Sequence, residues 1–331
     1  MPKNNSELTF KFRYVINAHA QGIFAKKGIV NEQEILLDKE RLIYDDIADS
    51  TTRDRRIVLT LSPSASLSKK VSEKVIENSY LVLEIYNAKP LEIERFVDRI
   101  SSKKEVEQKQ RQLIAAGQGN LFRSAVCPHC EATIDLSDLN RSSYIYCRFC
   151  ETVFRETQTA ITRGDNYRVC DECQMFDRVK GYTEFYFYFL LVVYGYSYQR
   201  RHLCDNCAGN LFVKMLLVNF IFLLGIIPSL CVKIKSMMGR DPELKQLARA
   251  NALARKGKYE KAAGFYEQLH QSYTEHPGLL MNQGIGHLKG NDLAGASTYF
   301  KRSLTACSNY LPTLRLLQRM QAAVEAESQG A

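Results

Sequence analysis

Eight of the ten cysteines form four Cys-x-x-Cys pairs, and this spacing constrains the fold more than any other feature of the chain. Two cysteines three residues apart turn their thiolates to one side, and two such pairs complete a tetrahedral shell around one metal ion. Residues 1–10 lack the apolar core of a cleaved signal peptide, so we expect reduced thiols rather than a disulfide framework. The sequence therefore predicts two structural zinc ions, held by Cys127, Cys130, Cys147, Cys150, Cys170, Cys173, Cys204 and Cys207.

The favoured pairing joins neighbouring pairs along the chain. Cys130 and Cys147 are separated by 16 residues, enough for a hairpin, and the module 124–156 resembles a zinc ribbon. A second ribbon, 167–210, spans the 30 residues between Cys173 and Cys204. Its aromatic and β-branched residues predict a strand at 185–194 that continues towards Arg200. The alternative joins the second pair to the third, and it ranks lower because the outer pairs would then have to meet across the whole module.

The residue after each second cysteine departs from the usual ribbon. Ribbons often have glycine there, where a positive φ relieves crowding, but this chain has Glu131, Glu151, Gln174 and Ala208. A redox role for a single pair is an alternative, although four regularly spaced pairs favour metal binding. A closed shell of four thiolates leaves a metal no open coordination position, so we expect no catalysis at either zinc.

Residues 1–118 are predicted to form an antiparallel sheet closed by one helix. Alternating and β-branched segments predict strands at 10–16, 34–37, 41–44, 56–61 and 80–86. Pro90 opens a helix with apolar residues at helical spacing, and its charged continuation to about residue 116 is expected to be solvated. This order resembles a pleckstrin-homology-like (PH-like) domain. The resemblance implies a lipid-phosphate site, with ordinary solvated charge as the alternative, at Lys26, Lys27, Arg53, Arg55 and Arg56.

A hydrophobic segment at 211–235 contains 18 residues without a formal charge, from Met215 to Val232. That length approaches the roughly 20 residues that cross a bilayer, and lysines at both ends could reach the headgroups. The segment predicts a transmembrane helix and a membrane localisation, with the zinc modules on the cytoplasmic side. A buried core helix is the alternative, and Gly225 with Pro228 would permit a re-entrant or in-plane helix.

Residues 241–325 repeat with a period of 34. The pattern resembles the tetratricopeptide repeat (TPR), a helical hairpin in which small residues let two helices approach closely, and 311–323 would form a capping helix. The resemblance implies a short groove for an extended peptide or another subunit. The matched positions are Ala250 with Gly284, Ala262 with Ala296, Tyr266 with Phe300 and, one residue out of register, Gly257 with Gly290.

The first helix of each TPR-like hairpin lines the groove, which selects four candidate partner-binding residues: Asn251, Arg255, Asn282 and His287. Asn251 and Arg255 share a helix face at i, i+4 spacing. Arg255 could pair with a carboxylate of the partner, and solvated helix faces are the alternative interpretation.

Together these features predict a multidomain α+β protein that contains a PH-like sheet, two zinc ribbons, a membrane helix and helical repeats. The sequence favours a membrane-associated zinc-binding adaptor or scaffold that recruits a protein partner. A zinc-ribbon nucleic-acid-binding protein is the alternative, because the formal net charge is +9. No P-loop, nucleophile elbow or His-Glu-x-x-His motif is present, so we expect no enzyme.

Overall fold

The computed structural model describes residues 7–77, 79–155, 167–190, 193–219, 226–237 and 245–329. The chain forms two compact units, Met1–Asp138 and Leu139–Ala331. The first unit carries an antiparallel sheet, and the second ends in a helical region. The fold is therefore mixed α/β.

The first unit is built on a sheet whose hydrogen-bonded strand order is β5-β4-β3-β1-β8-β7-β6, with β2 paired to β1. Strands were predicted at the positions of β1, β4, β5, β7 and β8, whereas β2, β3 and β6 were not predicted. The strands are Glu7–Ile16 (β1), His19–Ala20 (β2), Lys26–Asn31 (β3), Glu34–Leu37 (β4), Glu40–Ile43 (β5), Ile47–Arg53 (β6), Arg56–Leu61 (β7) and Tyr80–Ile85 (β8).

This unit also contains the short helix α1 (Lys69–Ser72), between β7 and β8, and the long helix α2 (Pro90–Ala115) after β8. Apolar residues of α2 close the core of the sheet, as predicted. Polar contacts also hold α2 to β6, because Ser50 donates a hydrogen bond to Asp98 at 2.6 Å in a buried position. The second half of α2 is not simply solvated, since Val106 and Leu113 are buried. There Ser102 accepts a hydrogen bond from the backbone N–H of Thr133, at 3.0 Å.

Short strands carry the cysteine pairs. In the first unit β9 (Ser124–Val126) pairs with β10 (Thr133–Asp135). In the second unit β11 (Ile145–Tyr146) pairs with β12 (Val153–Phe154), and β13 (Tyr167–Val169) pairs with the start of β14.

The predicted strand at 185–194 is a long hairpin instead. Strand β14 (Phe176–Leu190) pairs antiparallel with β15 (Val193–Cys204) through twelve residue pairs, from Val179 with Cys204 to Leu190 with Val193. A single strand and a hairpin share the same residue pattern, so composition alone did not reveal the reversal.

The predicted transmembrane helix is wrong. The described residues of the segment 211–235 belong to two elements, α3 (Asp205–Asn219) and α4 (Ile226–Met237). Within the described parts of the chain, none of the helices combines the length and the apolar character that crossing a membrane requires. The membrane localisation inferred from this segment is therefore wrong as well.

Two features explain how α3 and α4 pack. Leu211 and Met215 of α3 and Val232 of α4 are buried in one cluster with residues of the β14–β15 hairpin. The lysine expected to reach headgroups, Lys214, is instead paired with Glu184 of β14 at 3.1 Å. These helices therefore pack against the hairpin.

The C-terminal region consists of five helices, in agreement with the predicted helical character. Helices α6 and α8 begin 34 residues apart, at Tyr259 and Leu293, which matches the period of the sequence. The left-handed residue before each is Gly257 (φ 69°) and Asn291 (φ 61°), so Asn291 rather than Gly290 is the counterpart of Gly257. The helices are Lys245–Ala254 (α5), Tyr259–Ser272 (α6), Pro277–Lys289 (α7), Leu293–Ala306 (α8) and Leu311–Gln329 (α9).

Candidate metal centres and their contacts with the helices

Three of the four cysteine pairs form the same tight turn. The backbone N–H four residues after the first cysteine donates to that cysteine's carbonyl, at 2.8–2.9 Å. The donors are Glu131, Glu151 and Gln174, and each has a positive φ, 62°, 60° and 57° respectively. The sequence therefore departs from the usual glycine while the backbone keeps the left-handed conformation that glycine favours.

The fourth pair is built differently. Cys204 ends β15, and helix α3 begins at Asp205, so Cys207 lies in the first turn of a helix. Free N–H groups and the helix dipole favour a thiolate at this position. The predicted second ribbon is thus a turn joined to a helix N-terminus, and Ala208 has no need of a positive φ.

Each set of four cysteines can hold one metal ion. The sulfur atoms of Cys127, Cys130, Cys147 and Cys150 lie within 4.8 Å of one another, and so do those of Cys170, Cys173, Cys204 and Cys207. A tetrahedral shell with metal–sulfur bonds of about 2.3 Å requires sulfur–sulfur separations of about 3.8 Å. The Sγ atoms of Cys173 and Cys204 are 3.9 Å apart, which fits this geometry. The favoured pairing is the one that the structure has.

A backbone group of the second set favours a thiolate at Cys170. The backbone N–H of Cys204 donates to the Sγ atom of Cys170, at 3.3 Å. Hydrogen bonds from the other three cysteines lower the pKa of the Cys170 thiol, and the same bonds to Cys170 raise the pKa of the thiols of Cys173, Cys204 and Cys207. Metal ligation needs thiolates, so the Cys204 N–H favours the binding form at Cys170.

Arg255, which directly follows α5, contacts this second set. Its Nη1 atom is a donor 3.3 Å from the Sγ atom of Cys207 and 3.7 Å from that of Cys204. Four thiolates around a divalent ion carry a net charge of −2, so a guanidinium beside them offsets part of that charge. The residue predicted to meet a partner's carboxylate therefore faces sulfur atoms of its own chain.

Asn282 of α7 holds the backbone of Phe176, which lies three residues after Cys173. Its side-chain oxygen accepts from the Phe176 N–H at 2.8 Å, and its side-chain nitrogen donates to the Phe176 carbonyl at 2.7 Å. Asn282 is fully buried. An asparagine that satisfies both backbone groups of one residue recognises an extended chain independently of its side chain.

Asn251 of α5 binds the same segment, and the two asparagines together are called here the asparagine clamp. It donates to the carbonyl of Phe176 at 3.0 Å and to the carboxylate of Asp177 at 2.9 Å, and it accepts from the Tyr266 hydroxyl at 2.7 Å. Asn251 is also buried, and burial raises the pKa of Asp177 to about 6. Both predicted partner-binding asparagines thus bind residues 176–177 of the same chain.

The ring of Phe176 packs closely against α7. A Cβ atom added at Gly278 would lie 2.5 Å from the Phe176 ring, so glycine is required there. The centroid of the Phe176 ring is 4.8 Å from that of His276, which is buried at the start of α7. Burial lowers the pKa of His276 to about 3, so this imidazole is neutral.

Sequence reasoning missed a second clamp, at Asn309. Its side chain accepts from the N–H of Tyr146 at 2.9 Å and donates to the Tyr146 carbonyl at 2.8 Å. Tyr146 directly precedes Cys147, so this contact also holds a cysteine-bearing segment against the helices. Asn309 lies between α8 and α9 with no motif around it, and its role is evident only from the fold.

The fourth candidate partner-binding residue, His287, has its contacts within the C-terminal helices. His287 is hydrogen-bonded to Asp292 at 2.7 Å and stacked on Tyr259, with ring centroids 4.2 Å apart. Its proposed contact with a partner stays a prediction.

The five candidate lipid-binding residues divide between two parts of the sheet. Lys26 and Lys27 lie on β3, whereas Arg53, Arg55 and Arg56 belong to the β6–β7 hairpin. Strands β1 and β8 lie between them, which corresponds to about 14 Å across the sheet. Lys26 is also paired with Asp38 at 3.5 Å. The structure does not bring the five together, and their binding of lipid stays a prediction.

A cavity of about 150 Å³ lies beside the clamps, between β13, α7 and α9. Arg315 and Arg319 of α9 line it at i, i+4 spacing, and Arg168 of β13 is 3.7 Å from Glu151 in its wall. Apolar side chains, including Met281 and Tyr310, complete the lining. A cavity of this size accepts a single side chain.

No known protein family matches the chain, and no curated protein or solved structure matches it either. The function is therefore inferred from the fold and from the chemistry of the sites.

Proposed function

We propose that this chain is a zinc-binding, non-enzymatic scaffold that recruits a protein partner through its C-terminal helices. One observation carries the proposal: Asn282 binds both the N–H and the carbonyl of Phe176. A helical surface that holds backbone in this way is suited to extended peptides. Its paired helices with a 34-residue period support the TPR-like interpretation.

Zinc is the metal that the donor sets favour. Sets of four cysteines are typical of structural zinc, and thiolates are poor ligands for magnesium or calcium. In this role the metal supplies no reaction. It fixes Cys170, which follows β13, to Cys204 at the end of β15, so that Phe176 reaches the helices in one conformation.

Cross-linking mass spectrometry of the intact chain with its captured partner tests the proposal. Exposed lysines provide reporter positions in this region: Lys256 in the turn after α5, Lys261 on α6 and Lys301 on α8. We expect partner cross-links to concentrate on 245–329. Arg315 and Arg319 line the cavity beside the clamps, so their replacement by glutamate should reduce capture of the partner. Glutamate at the exposed Arg249 of α5 is the matched control and should leave capture unchanged. Cross-links confined to the first unit would contradict the proposal.

A further inference from the structure

Residues 175–177, called here the resident segment, occupy the helical surface as a peptide ligand would. Met175 joins the segment to the metal centre, because its carbonyl accepts from the N–H of Cys170 at 2.9 Å. Phe176 is bound through its backbone and its ring, and Asp177 through its carboxylate. The segment is therefore attached to the second cysteine set at one end and bound by α5 and α7 along its length.

The contacts divide into two kinds. The asparagine clamp recognises backbone and would accept any extended segment, whereas Gly278 provides space that only a large flat side chain fills well. Asn251 adds selectivity for an acidic group, because its amide donates to Asp177. The site therefore suits an extended peptide with an aromatic residue followed by an acidic one.

The metal determines how firmly the segment is held. Cys170 and Cys173 precede the segment by few residues, and Arg255, directly after α5, contacts their partners Cys204 and Cys207. With metal bound, the segment is presented at high effective concentration to its own groove, which excludes a competitor. Without metal, the segment keeps only its chain connection and its pairing with β13, so that advantage is smaller.

We propose that the groove between α5 and α7 is a binding site for aromatic–acidic peptides, which the resident segment closes while the second cysteine set holds zinc. This inference rests on the proposed function, since it assigns the partner-facing groove and its regulation. It adds the chemical class of the ligand, an aromatic–acidic peptide, and the condition under which that peptide can enter the groove. Zinc occupancy of the second set acts as the switch.

The test uses the full chain and a fluorescent peptide of residues 174–179, Gln-Met-Phe-Asp-Arg-Val. The zinc-loaded chain should bind it weakly. Two variants should bind it about tenfold or more tightly, since they raise the fraction of open grooves. One is Cys204→Ser with Cys207→Ser, which removes the second zinc. The other is Phe176→Ala, which leaves all eight cysteines in place.

Controls distinguish binding in the groove from non-specific binding to a partly unfolded chain. Adding Asn282→Ala to either open variant should abolish binding, and a peptide with alanine in place of phenylalanine should bind neither. Cys147→Ser with Cys150→Ser, which disrupts the first set, should leave the groove closed. Helicity by circular dichroism is recorded for every variant.

Equal affinity for the zinc-loaded chain and both open variants would overturn the proposal. Loss of helicity in both open variants would also overturn it, because the segment would then be part of the helical core. If the peptide binds as expected while partner cross-links fall outside 245–329, the proposed function fails and the groove assignment stands. If partner cross-links concentrate on 245–329 while the peptide does not bind the open variants more tightly, the groove assignment fails and the proposed function stands.

Discussion

The Nη1 atom of Arg255 lies 3.3 Å from the Sγ atom of Cys207, so the residue that follows helix α5 donates a hydrogen bond to a candidate metal ligand. Such outer contacts stabilise the charged shell and orient its ligands. The helical region is thus part of the environment of the second metal centre.

Replacing Arg255 by glutamine should weaken zinc binding at the second set about 10- to 100-fold, the range typical of lost outer-shell contacts. The first set should keep its affinity. Competition with a chromophoric chelator measures both sites. Arg249→Gln, an exposed change one turn and a half away on α5, serves as the control. Equal weakening by both variants would show that Arg255 has no specific role.

Elemental analysis of the purified chain should give two zinc ions, one per cysteine set. Cys130→Ser with Cys147→Ser should leave one. Cys307→Ser should leave two, because Cys307 is a solitary, buried thiol whose pKa burial raises to about 12. A single zinc in the unaltered chain would contradict the assignment of two closed shells.

Gly278→Ala should destabilise the second unit by about 1–3 kcal/mol, the usual cost of forcing extra volume into a packed site. Its new Cβ atom would lie 2.5 Å from the Phe176 ring. Gly264→Ala is a matched control, since Gly264 lies within α6 and a Cβ there meets nothing within 4 Å. That change should stabilise the helix by up to about 1 kcal/mol. Chemical denaturation in excess zinc measures both.

The contribution of His276 to the stability of the second unit should decrease as the pH falls below about 6.5. Burial lowers the pKa of His276 from 6.5 to about 3, helped by the nearby charges of His270 and Arg155. A base with a lowered folded pKa binds more protons when unfolded, so its contribution is complete above pH 6.5 and is lost towards pH 3.

Between pH 7 and pH 5 the loss from this one group should be about 2 kcal/mol. His276→Asn keeps a side-chain acceptor for the Gly278 N–H and removes the titration. The difference in pH dependence between the two proteins, measured in excess zinc, isolates His276. Parallel curves would show that His276 has the same pKa in the folded and the unfolded chain, which contradicts the prediction.

The cysteine sets and their pairing could be predicted because ligand spacing encodes the metal shell locally. Segments of the N-terminal sheet were likewise visible as alternating apolar residues. The 34-residue period located the C-terminal helices, yet it misplaced one correspondence: the left-handed conformation is at Asn291, and a search for glycine selected Gly290 instead.

The wrong predictions concern features that depend on tertiary contacts: how a segment packs and which group a side chain binds. The apolar run from Met215 to Val232 looked like a membrane helix because hydropathy does not reveal a hairpin that covers Leu211, Met215 and Val232. Asn251 and Asn282 were correctly placed on the first helices. Nothing in the sequence showed that Phe176, about a hundred residues before Asn282, would occupy them.

The β14–β15 hairpin has a consequence for how the chain can change in length. Its base pairs Val179 with the ligand Cys204, and its last pair, Leu190 with Val193, lies eleven residues further along, about 37 Å at the rise of an extended strand. Deleting two residues from each strand, taken as opposed pairs, would preserve both the alternation of faces and the register at Cys204. The reach of this arm can therefore be shortened or extended, in evolution or by design, while the metal centre at its base stays the same.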